Sequence, residues 1–404
     1  MTDHKKLLTA NYFLAYIALG MISGAYGPAV PSFAANTASG LNEVSSFFVF
    51  SSMGYIAGSF LAGFLFHKFS GNKVLAICLL GMALGVGLLP VIHHLWLLIV
   101  VVFLIGITQS SVDMGHNTMM VWLHGSKVAP YMNGLHFSFG IGSFLAPLMI
   151  AQSLRATQYI NWAFWIIAIT MLLPIPFLIK LTSPSNPETV AATTDEPARP
   201  KVSRKLLVFL VMFFLFFTGS EITFTNWIYT HGLKTGFVDV ETAAYLTSSF
   251  WVTFLIARFV GIGISRRFTS RQIIWFNLTG SFFTLILMLI LAGSAWALWA
   301  CTAAFGLFVA TGFPTSMNLA GELNAVTARN TSIFFVASST SVMISPWIVG
   351  QFIDRPHSQV LIWVVLANLC LAIIAMAGVQ IFGKSQFQPE AQPKEIRPRS
   401  ISTD

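Results

Sequence analysis

Three carboxylates stand where a carboxylate is costly. All but three of the 14 Asp and Glu residues lie in polar loops, tails or the ends of apolar runs; the exceptions are Asp113, Glu221 and Glu322. A charged side chain at bilayer depth costs at least roughly 2.5–3.5 kcal/mol on insertion scales, so such residues are expected to face a protein interior. Gln109, Asp113 and Asn117 are spaced four apart, which puts all three on one helix face. That face is too polar for lipid and is expected to line a cavity. Near Glu221, Thr218 and Thr225 share its face, whereas Asn226 and Trp227 do not. Either the helix is broken there, or the second pair meets another helix.

The chemistry open to such carboxylates is ion coupling. A proton mechanism needs a carboxyl that loads and unloads near neutral pH. A Na⁺ site needs several oxygens, which Asp113, Asn117, Ser110 and the carbonyls near Gly115 could supply. Asn117, one turn from Asp113, is more useful as an ion ligand than as a proton relay, which favours Na⁺. Glu322 closes its run near Arg329 and could pair with it, while Arg258, inside the eighth run, is expected to snorkel or meet a carbonyl. Trp227 could offer a stacking face. No resident cofactor or metal site is expected, because His116 and the His93–His94 pair lack a third ligand at metal spacing. Enzyme signatures are missing too: there is no GxxxxGK[ST] phosphate loop, no GxSxG elbow and no HExxH helix.

The elements that must position these residues follow from composition. Of 404 residues, 55% are apolar or aromatic, 37 are Phe and only 9% are charged, with a mean hydropathy of +0.75. Soluble domains carry about 25% charged residues, and no water-soluble core hides so much apolar surface. The chain is therefore expected to be an all-α polytopic membrane protein, with the lipid bilayer as its solvent. Twelve runs are long enough to span, near 8–32, 44–66, 74–92, 95–122, 131–152, 160–181, 205–230, 243–264, 272–292, 296–320, 330–353 and 358–383. Pro90 with His93–His94 marks the third boundary, and Gly293–Ser294 the ninth. The first run is too long for a cleavable signal. Cys78, Cys301 and Cys370 each sit inside an apolar run, so no disulfide is expected.

The net charge of +8 does not point to nucleic acid, because its basic residues fall in short loops between runs. With the N-terminus inside, only Arg155, Lys234 and Arg355 among 22 Lys and Arg fall in outside loops. This positive-inside bias places both termini in the cytoplasm, and a bacterial inner membrane is the expected compartment. Residues 182–203, rich in Pro, Ser, Thr and charge, are expected to form a cytoplasmic linker between a first half (1–181) and a second (204–383), and residues 384–404 are expected to form a polar, disordered tail. An offset of 199 residues aligns the halves. Ala146-Pro147 with Gln152 recurs as Ser345-Pro346 with Gln351, Lys68-Phe69-Ser70 as Arg267-Phe268-Thr269, and Gly20 as Gly219. An even number of runs separates the copies, so the repeat is parallel, its axis along the membrane normal.

Six plus six spans, a long middle loop and a parallel repeat resemble the major facilitator superfamily over essentially the whole chain. The segment Gly63 to Lys73 is similar to that superfamily's signature after its second helix, with His67 where an Asp is expected and with Lys68 and Lys73 among the matching basic residues. Asp113-Met-Gly115-His-Asn117, the stretch His136 to Gly142 with Pro147, Gly219-Ser-Glu221 and Asn226-Trp227 resemble the branch of fucose permease and the sodium-dependent glucose transporters. The resemblance implies alternating access by two rocking halves and cation-coupled symport of a monosaccharide, a hexose above all. It implies substrate contacts at Gln109, Asn117, His136, Glu221, Asn226 and Trp227, and coupling at Asp113, Asn117 and Glu221. It implies gating by Lys68, Lys73, Arg267, Glu322 and Arg329, and a protein acting as a monomer with bound Na⁺ or transported H⁺. A proton-driven exporter of amphipathic compounds is the rival transporter reading, favoured by the many Phe and Met. A non-transporting scaffold is the other, with little reason to tolerate buried carboxylates.

Overall fold

In a computed structural model, the chain is described over residues 3–184, 202–355 and 359–383. Most of the linker, the whole 384–404 tail and the Arg329 side chain lie outside these residues. The described residues form twelve helices long and apolar enough to cross a membrane: α1 (Asp3–Asn36), α2 (Leu41–Lys68), α3 (Gly71–Val91), α4 (Leu95–His124), α5 (Ala129–Thr157), α6 (Asn161–Lys180), α7 (Arg204–Thr235), α8 (Val240–Ile264), α9 (Ser270–Ile290), α10 (Ala295–Glu322), α11 (Asn330–Phe352) and α12 (Val360–Gly383). All twelve expected runs are present. Several helices outrun their apolar stretch by a turn or more, α1 and α7 most of all, because a formed helix continues through polar residues at little cost.

Local chemistry explains the breaks. α3 ends in a 3₁₀ turn at Leu89–Val91 around Pro90, and α4 starts at Leu95 after the two histidines. Ser294 caps α10 by accepting the Ala297 N–H, and Asp239 caps α8 by accepting that of Thr242 at 2.8 Å. The same hydrogen bonding at Thr242 holds the Asp239 carboxyl below the usual aspartate range. Pro174 interrupts α6, and α10 is broken between Val309 and Gly312.

Packing follows small residues. Lipid tails are as apolar as leucine, so helices associate through close van der Waals fit rather than hydrophobic burial. Gly20 of α1 lies directly on the backbone of Phe139 in α5, and Gly142 of α5 on the carbonyl of Ile17; Ser143 Oγ donates to the Gly20 carbonyl at 3.1 Å. In the second half the repeat-related Gly219 of α7 meets the side chain of Ser341 in α11. Pro147 and Pro346 sit at matching places inside α5 and α11. The two glycines thus mark the same helix crossing in each half, as the 199-residue offset implies. Because consecutive spans alternate in direction, α1 begins and α12 ends at one end of the bundle, here called the termini-bearing end.

Candidate functional site

α4 carries Gln109, Asp113 and Asn117 on a face turned to α1, as their spacing implies. Gln109 Nε2 donates to Ser23 Oγ, and its Oε1 accepts from Tyr26 Oη, each at 3.2 Å. Asp113 is held from three helices. Its Oδ1 accepts from Tyr16 Oη of α1 and from Asn117 Nδ2 at 3.1 Å; its Oδ2 accepts from Tyr55 Oη of α2 at 2.5 Å. Asn117 Nδ2 also reaches Tyr16 Oη at 2.5 Å and the Asp113 carbonyl at 2.9 Å. Hydrogen bonds to a charged group are worth about 1.5–3 kcal/mol each, so these donors offset much of the cost of placing Asp113 here. Ser110, offered above as an ion ligand, is fully buried with its hydroxyl turned to Met114 Sδ at 3.9 Å, and it does not converge with Asp113. A residue three positions away from Asp113 is rotated by about 60° around the helix, which takes the short serine off the cavity face.

Across from Asp113 stand residues of both halves. His136 of α5 is exposed, with its ring edge-on to Tyr16 at 6.0 Å between centroids. Arg258 of α8 lies close enough for its charge to act on His136 and on Glu221 of α7, while Asp113 acts on His136 from the other side. Glu221 is buried, only 9% exposed. His136 and Arg258 thus link Asp113 and Glu221, far apart in sequence, by charge interactions across the two halves. Among the described residues no three His, Cys, Asp or Glu side chains gather as metal ligands.

Two of the expected substrate contacts go elsewhere. α7 is unbroken, so Asn226 and Trp227 are rotated by about a third of a turn or more from Glu221. Trp227 is 0% exposed; its Nε1–H donates to the Pro346 carbonyl at 2.8 Å and its ring lies 5.9 Å from Phe48. With both faces covered by α11 and α2, it is a wedge between helices here, not an open stacking face. Asn226 is buried, and its backbone packs against Gly27 of α1.

The residues expected to gate lie as follows in this conformation. Lys68 lies over the rings of Phe64 and Phe69, at 5.5 and 5.7 Å, while Lys73 and Arg267 are exposed. Glu322 accepts from Ser270 Oγ at 2.5 Å, a contact within the second half, and the partner expected for it, Arg329, has its side chain outside the described residues. The bonds that join the halves cluster at the end opposite the termini. There Arg155 of α5 pairs with Glu241 of α8 at 3.4 Å, Gln152 Nε2 donates to Tyr245 Oη at 3.0 Å, and Tyr245 Oη donates to Glu241 at 2.8 Å. Gln351 Nε2 of α11 donates to the Asn42 carbonyl and Ser45 Oγ of α2, both at 3.0 Å. In this conformation that end is latched, and among the described residues Lys68, Lys73 and Arg267 make no ion pair with the other half.

Residue-by-residue reading missed Tyr16, Tyr55 and the latch, and assigned Arg258 no coupling or binding role. A signal existed for the tyrosines. Tyr12 and Tyr16 lie four apart in the first run, and a phenol at membrane depth needs an acceptor.

Comparison with known proteins places the geometry. Residues 12–346 match the family model described as Major Facilitator Superfamily. The chain is similar to sodium-dependent glucose transporter 1 of Homo sapiens, 25% identical over 370 residues, covering 83% of this chain and 71% of that protein. Sodium-dependent glucose transporter 1A of Mus musculus is 27% identical over 372 residues, covering 84% and 88%. Among solved structures, a D-xylose-proton symporter superposes with a TM-score of 0.75 at 15% identity, covering 94% of this chain and 98% of that one.

Proposed function

Because the chain belongs to the major facilitator superfamily, we propose that it is a cation-coupled symporter of a neutral monosaccharide, a hexose above all, working by alternating access. It is an integral multi-pass transporter, not an enzyme. The observation that carries the reading is Asp113, bound by Tyr16, Tyr55 and Asn117, with the ring of His136 edge-on to the same Tyr16. Tyrosine, amide and carboxylate groups suit the hydroxyls of a sugar better than an amphipathic drug, and a scaffold has no use for two such carboxylates. The human and mouse relatives, both sodium-dependent glucose transporters, point the same way. The site is built within one chain, consistent with a monomer.

The coupling ion proposed is Na⁺, with Asp113 as its main ligand, Asn117 beside it and Glu221 the second coupling carboxylate. Sugar affinity of the purified protein should rise with Na⁺ at fixed ionic strength, and Asn117→Ala should lose that dependence. A ligand at 100 times its Kd stabilises by about 2.7 kcal/mol, which a thermal melt resolves. An affinity indifferent to Na⁺ that weakens as pH climbs would transfer coupling to the proton.

Both termini are proposed to be cytoplasmic, from the distribution of Lys and Arg. Cysteines introduced at Ser185 and Ser400, which lie outside the described residues, should label from the cytoplasm, and one at Gly236 from outside. Labelling of Ser185 from outside inverts the orientation. The membrane proposed is a bacterial inner membrane; the two relatives are vertebrate proteins, and a tagged chain expressed in its own host decides the compartment.

A further inference from the structure

His116 carries a buried acceptor that the fold leaves unfilled. It precedes Asn117 on α4 and is 0% exposed. Its Nδ1 meets the Val112 carbonyl at 2.6 Å, and a carbonyl can only accept, so Nδ1 carries the hydrogen. In the neutral ring Nε2 is then a bare lone pair, and it has no partner among the described residues. Two phenol rings pack edge-on to this imidazole, Tyr12 at 5.4 Å and Tyr16 at 5.8 Å between centroids. The Tyr12 hydroxyl is committed, donating to Asn72 Oδ1 at 2.7 Å. That leaves Tyr16 as the neighbouring phenol that can serve Nε2.

Tyr16 also stands where an incoming ion would have to go. Its Oη donates to Asp113 Oδ1 and accepts from Asn117 Nδ2 at 2.5 Å, so the hydroxyl sits between the two side chains proposed to take the cation. Its hydrogen is the positive end of the O–H dipole, and it points at the oxygen the ion must reach. Tyr55 engages the other carboxylate oxygen, Oδ2, from α2. Tyr16 is only 1% exposed, so its hydrogen cannot simply turn to solvent, and a buried donor left unmade is costly. A hydrogen that must find a new acceptor and an acceptor without a hydrogen are therefore packed ring against ring.

We propose that His116 Nε2 is the second acceptor of a two-position switch in the Tyr16 hydroxyl. Without the ion the hydroxyl donates to Asp113. With the ion bound it donates to His116, which opens Asp113 Oδ1 to the cation. The donor is paired in both positions, so the exchange leaves no buried hydroxyl unsatisfied. His116 touches neither ion nor sugar; it is a positioning residue that acts through Tyr16. The inference rests on Asp113 as the cation ligand and deepens that reading.

The test measures Na⁺ affinity of the purified full chain by calorimetry and by Na⁺-dependent melts, at fixed pH and ionic strength. His116→Phe keeps a ring but removes the acceptor, and should weaken Na⁺ binding about tenfold or more, the scale of one buried donor left unpaired. His116→Gln, whose amide oxygen can accept, should recover most of that loss. Tyr16→Phe removes the hydroxyl that needs a new acceptor, so adding His116→Phe to it should change Na⁺ affinity by less than about twofold. A histidine that only packs would give equal losses in the two backgrounds, and that result overturns the switch. Should His116→Phe fail to fold, ¹⁵N spectra of labelled histidine read the same exchange. The Nε2 resonance that is absent from His116→Gln should shift to its hydrogen-bonded position on adding Na⁺ to the wild type, and stay in place in Tyr16→Phe. A resonance that does not move in the wild type overturns the switch alone. A wild type that binds no Na⁺ overturns the sodium reading of Asp113 and the switch with it, so the two failures are distinguishable.

Discussion

Asp113→Asn should abolish uphill sugar accumulation while leaving downhill exchange measurable. The amide keeps the shape of the carboxylate but cannot cycle its charge, so the cation gradient no longer drives the conformational cycle. In proteoliposomes the accumulation ratio should fall from the value set by the gradient to about one, and counterflow at equal cation concentrations should persist. The substitution also has a structural cost with a definite origin. Tyr16 and Tyr55 both direct hydroxyls at the carboxylate, and Asn117 adds an amide N–H. In the variant an NH₂ replaces one of the two carboxylate oxygens, so at least one of these donors faces another donor. A buried donor left unsatisfied costs about 1–3 kcal/mol, and the melting temperature should fall accordingly. Tyr55→Phe, which removes one donor and keeps the charge, should retain accumulation. If Asp113→Asn accumulates sugar as the wild type does, coupling passes to Glu221.

Gly20→Ala should be far more damaging than Gly219→Ala, although the two glycines are repeat-related. A Cβ on Gly20 would run into the carbonyl of Phe139, part of the α5 backbone, and neither helix can yield without separating. A Cβ on Gly219 meets the hydroxyl end of Ser341, which can rotate away. Overpacking in a fitted core costs about 1–3 kcal/mol and sometimes more, so Gly20→Ala should take that full loss and Gly219→Ala less than half of it. Thermal melts of the two purified variants, followed by the fraction eluting as a single species, measure the difference. Equal losses, or the reverse order, would show that the α1–α5 crossing is not the tight one.

Much of the architecture can be read from residue order alone, because a bilayer makes spanning a local property. About 20 apolar residues in a row are sufficient to identify a span, and Pro90, His93–His94 and Gly293–Ser294 mark the boundaries the helices take. Four-residue spacing likewise determined that Gln109, Asp113 and Asn117 share a face, since helix periodicity depends only on the chain itself. A common offset related Gly20 to Gly219 before any packing was known. What a side chain meets is a different kind of quantity. Lipid and protein interior are equally apolar, so hydropathy does not mark which face of a span turns inward. Only the rotation of α1 and α2 against α4 brings Tyr16 and Tyr55 to Asp113. Only the unbroken course of α7 sends Trp227 to Pro346 and away from Glu221. Arg258 was expected to snorkel or meet a carbonyl, but only the packing of α8 against α10 decides that the carbonyl is that of Ala310, 52 positions away. Which end is latched was least accessible of all. Arg155–Glu241 and Gln351–Asn42 form or break as two halves tilt, and that tilt is a free-energy balance of the whole bundle, carried by no single segment.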